Sequence, residues 1–72
     1  MSKEMRFVIF CIESYRAHRS MSGRDAAELF LKYDAFGYIR DNYDVLHTVG
    51  YQYINEDLDR YFEVRGAGEP RR

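Results

Sequence analysis

Seventy-two residues exclude a second domain, and a formal charge of −1 with a pI near 6.1 argues against a general nucleic-acid binder, whose affinity comes from clustered Lys and Arg. A single cysteine, Cys11, excludes an intramolecular disulfide, and His18 and His47 have no partner at metal-ligand spacing. A core this small contributes only about 3–5 kcal/mol, so a protein partner or a second copy is the remaining source of stability.

The first helix is predicted from about Lys3 to His18. At 100° per residue, Met5, Phe7, Val8, Ile9, Cys11, Ile12 and Tyr15 fill an arc of roughly 200°. A surface helix carries a stripe of about 100°, so an arc this wide predicts a central helix with neighbours on two sides. Cys11 falls inside the arc and should behave as a small buried hydrophobe. Phe10 falls outside it, between Arg6 and Ser14.

Ser22 is a fitting N-cap for a second helix, because its hydroxyl can accept from the N–H of Asp25, whose carboxylate can reach back in a variant capping box. Ala26, Leu29, Phe30 and Tyr33 then recur at helical spacing, with Ala27 and Leu31 beside them. Asp34 can cap a third helix over about Ala35 to His47, where Phe36, Ile39, Tyr43 and Leu46 share one face. On the opposite side Tyr38 and Val45 stand seven residues apart and form a small second apolar strip.

Thr48-Val49-Gly50 should break that helix. A fourth is predicted to begin near Ile54 or Asn55, with Asn55 as cap and Glu56, Asp57 and Asp59 as a solvated acidic start. Ile54, Leu58, Tyr61 and Phe62 supply its buried face, and Gly66 can end it in a left-handed conformation. The only proline, Pro70, lies in a Gly-rich tail, residues 66–72, expected to be disordered. The expected fold is therefore all-α: one domain over residues 1–65, a compact bundle of about four helices with short connections that make neighbours roughly antiparallel.

No stretch approaches the roughly 20 apolar residues of a membrane span. Glu13 and Arg16 interrupt the first apolar run too early for a secretory leader. A cytoplasmic, reducing location is expected. No cofactor, metal or small-molecule substrate is expected either, and no catalytic residue. His47 reads as a helix-end residue whose ring favours the last carbonyls, with the Thr48 hydroxyl holding the turn. Core packing accounts for most of the twelve Tyr and Phe residues, whereas Phe10, Tyr38 and Val45 do not fit that pattern. Exposed aromatics concentrate at interface hot spots, so these three are the candidate contact residues. A small DNA-binding regulator is the alternative, with the second and third helices as a helix-turn-helix. Asp41 and Asp44 against Arg40 in its recognition helix weigh against it, since acids repel phosphate.

Phe7-Val8-Ile9-Phe10-Cys11-Ile12-Glu13-Ser14-Tyr15, Ser22-Gly23, Phe36, Tyr38-Ile39, Tyr43 to Thr48 and Tyr53 to Leu58 together resemble a bacterial family, domain of unknown function 3791. Leu46-His47-Thr48 is its most specific segment. The resemblance implies a short helical protein and brings no catalytic residues. It also implies a gene neighbour that looks like an ADP-ribosyltransferase, and with it an accessory or antitoxin-like role.

Overall fold

The computed structural model describes residues 1–66, so the expected disorder of the tail lies, Gly66 apart, outside the described residues. Five helices follow one another: α1 (Lys3–His18), α2 (Gly23–Lys32), α3 (Ala35–Asp41), α4 (Tyr43–Leu46) and α5 (Tyr51–Val64). Among the described residues there is no strand, and α4 is a single turn.

Local chemistry fixes the helix ends. Ser2 and Ser22 cap α1 and α2 by accepting from the N–H groups of Met5 and Asp25, each at 3.0 Å. α1 closes in a Schellman turn, with the Met21 N–H on the Arg16 carbonyl at 2.9 Å and Ser20 in the left-handed region at φ 54°. Asp34 caps α3 from a left-handed conformation and accepts from the Gly37 N–H at 3.2 Å. Its carboxylate stands 2.6 Å from where a Cβ on residue 37 would lie, so a side chain there would have to displace the cap. Gly66, at φ 92°, follows the end of α5 as the sequence led one to expect.

Two expected elements differ. The third helix divides at Asn42, where the Tyr38 carbonyl accepts from both the side-chain amide at 2.8 Å and the backbone N–H at 3.1 Å. The last helix begins at Tyr51, ahead of Asn55, with extended Gly50 as its cap. Asn55 therefore caps nothing. It sits one turn inside α5, buried at 8% exposure, and exchanges hydrogen bonds with the Ser14 hydroxyl.

Val8, Cys11 and Tyr15 form the buried line of α1. They pack against Phe30 of α2, Ile39 of α3, Leu46 of α4 and Ile54, Leu58 and Phe62 of α5. Phe30 is fully buried at the centre of an aromatic group, with ring centroids 5.9 Å from Tyr15, 5.3 Å from Phe36 and 5.6 Å from Phe62. Burial of one such side chain contributes about 1.5–3 kcal/mol. The Tyr61 hydroxyl donates to the Tyr33 carbonyl at 2.6 Å and so ties the end of α2 to α5.

α1 is central, as its sequence implies, but its neighbours are not all antiparallel. α2 folds back along it, whereas α5 runs beside it in the same direction. Ser14 meets Asn55 and His18 meets Asp59, each pair 41 residues apart. The buried line also leaves no room for Cys11 to ionise. Burial pushes its thiol up to about 12. A thiol reagent should label the native protein orders of magnitude more slowly than the urea-unfolded chain; equal rates would contradict the placement.

Candidate interaction surface

The face of α1 opposite Val8, Cys11 and Tyr15 is the side a central helix turns to solvent. On the helical wheel its midline passes through Ser2, Arg6, Glu13 and Ala17, with Ile9 and Phe10 to either side. Polar residues are ordinary there, but Ile9 and Phe10 are not: they are 41% and 54% exposed. Met5, 53% exposed, continues the apolar area toward α3. Both Met5 and Ile9 belonged to the arc expected to be buried. α3 is too short to cover them, because seven residues of helix reach only about 10 Å. The result is a groove of about 390 Å³ between α1 and α3, lined chiefly by Met5, Val8, Ile9, Phe36 and Arg40.

Of the three contact residues expected from the sequence, Phe10 and Val45 lie at the surface, Val45 at 64% exposure. Tyr38 does not join them. Its ring stacks on Tyr61 at 4.4 Å and its hydroxyl donates to Asp57 at 2.6 Å, at the margin of the core. Burial, followed by the bond to the Asp57 carboxylate, pushes its hydroxyl up to about 12. The seven-residue spacing of Tyr38 and Val45 marks a common face only in an unbroken helix, and the break at Asn42 removes that condition. Tyr38 and Val45 thus do not share one face of a single helix.

The Leu46-His47-Thr48 segment closes α4. Leu46 is buried at 4% exposure. The His47 Nδ1 lies 2.7 Å from the Tyr43 carbonyl, with its ring stacked on the Tyr43 ring at 4.4 Å. The Thr48 hydroxyl donates to the Val45 carbonyl at 2.7 Å. All three residues hold the turn, the role their order along the chain implied. Lys3 and Phe7 complete the cluster, with the Phe7 ring edge-on to Tyr43 at 5.4 Å.

The acids of α5 are not a solvated helix start. Asp59 lies in the third turn and receives the Tyr15 hydroxyl at 2.7 Å and the His18 Nε2 at 2.8 Å, with Arg19 at 3.7 Å. Asp57 accepts from Tyr38, and only Glu56 is fully at the surface. Periodicity gave no sign of these pairings, because each joins residues on different helices; the 41-residue offset is visible only once α1 and α5 are parallel. Tyr15, Arg19, Met21, Leu29, Asp59, Phe62 and Glu63 line a second cleft of about 280 Å³. Among the described residues no three His, Cys, Asp or Glu side chains converge as a metal site would require.

Residues 6–65, nearly all of the five helices, match the family described as Protein of unknown function (DUF3791). The chain belongs to this family. No curated protein and no solved structure matches it. In this DUF3791 member the matched region includes Phe10, the Leu46-His47-Thr48 turn and the Asp59 cluster, while Met5 lies just before it. No helix among the described residues is long and apolar enough to cross a membrane.

The Asp59 cluster has a consequence for stability. Partial burial raises its pKa, but hydrogen bonds from His18 and Tyr15 and the charges of His18 and Arg19 outweigh that and hold the carboxyl below its ordinary 3.8. A carboxyl depressed on folding adds stability above its unfolded pKa and loses it as the pH falls through the folded value. Asp59→Asn should therefore lower stability by about 1 kcal/mol at neutral pH, a figure discounted because the side chain is about a third exposed. The gap from the parent should close below about pH 3.8. A gap that stays constant down to pH 2 would contradict the assignment.

Proposed function

We propose that this protein is a non-enzymatic interaction module whose contact surface is the outer face of α1. The observation that carries the reading is the exposure of Ile9 and Phe10 on either side of the outer midline of the central helix. Leaving large apolar groups there has a free-energy cost in water that a partner removes. The adjoining groove of Met5, Ile9 and Phe36 widens the apolar area.

The chemistry of the remaining residues is consistent with binding rather than turnover. His18 commits a ring nitrogen to Asp59 and His47 one to a backbone carbonyl, and neither is hydrogen-bonded to a hydroxyl or thiol nucleophile. On α3, Arg40 pairs with its neighbour Asp41 at 3.2 Å, which weakens the reading of a DNA-recognition helix. The family resemblance supplies the finer reading: an accessory or antitoxin-like partner of a co-encoded ADP-ribosyltransferase-like protein in the cytoplasm.

Sedimentation of the pure protein and titration with the product of the neighbouring gene test the reading together. Phe10→Ser should weaken association about thirtyfold, the usual loss for a central interface aromatic, without changing the helical circular-dichroism signal. Association that survives the substitution unchanged, or a chain that unfolds on losing Phe10, would overturn it.

A further inference from the structure

The outer face of α1 carries charge as well as apolar surface, and the order of the two is informative. Arg6, Ile9, Phe10 and Glu13 follow one another along it. Arg6 and Glu13 stand equally far from the midpoint between Ile9 and Phe10, close to the centre line of the face. An opposite-charge pair disposed symmetrically about an apolar centre is self-complementary under a two-fold axis perpendicular to the helix. Both charges are available. Glu13 is 62% exposed and is held only by the surface pair with Arg16 within its own helix, and Arg6 is exposed.

From this we infer that the occupant of the face is a second copy of this chain, its α1 lying antiparallel across the first. The proposal rests on the interaction reading above and names its partner. With the axis between Ile9 and Phe10, Arg6 of each copy meets Glu13 of the other, giving two identical ion pairs. A two-fold axis of this kind brings the same flank of each helix together. Ile9 therefore packs on its own counterpart along one edge and Phe10 on its own along the other. Met5 lies beyond Ile9, and Tyr51, 45% exposed, stands level with Phe10 in the parallel arrangement of α5. Each widens the contact on its side.

Charge order decides the direction. In a parallel pairing, Arg6 would face Arg6 and Glu13 would face Glu13, and like charges so placed repel. A single helix face buries less than the roughly 1,200 Å² of a standard interface, so the dimer is weak and forms with rising concentration.

Analytical ultracentrifugation of the full chain, from about 10 µM to 1 mM, compares four proteins: the parent, Arg6→Glu, Glu13→Arg and the double reversal. The parent should shift from monomer to dimer with concentration. Each single reversal places like charges together twice and should weaken dimerisation about tenfold. The double reversal restores both pairs and should return affinity to within about threefold of the parent. Both positions changed are at the surface, and helical signal and melting temperature verify that the fold is kept. A parent that is monomeric throughout overturns the inference, as does a dimer that either reversal leaves intact or that the double reversal fails to rescue. If the monomeric parent still binds the co-encoded protein in a Phe10-dependent manner, self-docking falls and the interaction reading stands. If it binds neither, both fall.

Discussion

The lateral alignment of α1 and α5 depends on a few polar bonds between otherwise apolar helices. Hydrophobic contact between Cys11, Tyr15, Leu58 and Phe62 is non-directional and tolerates sliding by a turn. Ser14 with Asn55, and Asp59 with Tyr15 and His18, do not. A one-turn slip would leave the Asn55 amide buried without a partner, a cost of about 1–3 kcal/mol in a domain whose whole stability is of the order of 5 kcal/mol. Once α5 is fixed in this register, Leu58 and Phe62 lie against Cys11, Tyr15 and Phe30, and the Tyr61 hydroxyl reaches the end of α2. The opposite side of α1 is left to solvent.

That arrangement explains why α1 is unusual among the helices. α2 and α5 each bury one side, and the apolar residues they leave in solvent, Leu31 on α2 and Tyr53 and Val64 on α5, lie away from the buried centre of the bundle. α1 is lined by neighbours on its inner side and still bears Ile9 and Phe10 on its outer one. Within the monomer each leaves roughly half of its surface in water. Their presence, with Arg6 and Glu13 set symmetrically around them, is the observation on which the proposed association rests. Leu31, Val45, Tyr53 and Val64 are exposed as well, but among the described residues it is Ile9 and Phe10 that Arg6 and Glu13 flank at equal distance along one helix.

Features governed by neighbours in the chain were legible in the sequence. Ser22 and Asp34 cap because their oxygens reach an N–H three residues on, and Gly66 stops α5 through its own backbone. Cys11 and Phe30 were recognisable as core by spacing alone, and the Leu46-His47-Thr48 turn by its order. Features set by tertiary competition were not. The Asn42 break was missed although its bond is local, because an Asn amide that reaches back to the carbonyl four residues earlier leaves no mark in the apolar spacing, and Tyr38 parted from Val45. Asn55 carries the chemistry of a cap, but Ser14 offered it a buried partner from another helix. The helical wheel of α1 showed which residues share a side, yet the length of α3 decided how many of them are covered, so Met5 and Ile9 came to the surface. At the candidate surface, Phe10 stood out from the sequence. Ile9 did not, because its exposure depends on what fails to reach it.

The central claim is that α1 and α5 lie parallel in the register set by Ser14, Asn55 and Asp59, with the Ile9 and Phe10 face outward. Solution NMR tests it most directly, through proton–proton Overhauser contacts between assigned side chains. The account predicts contacts from Ser14 to Asn55 and from Tyr15 and His18 to Asp59, and none from Phe10 to any residue of the core group around Phe30. Contacts in the reverse order, with Ser14 beside Asp59 and His18 beside Asn55, or a Phe10 ring packed against Phe30, would contradict it.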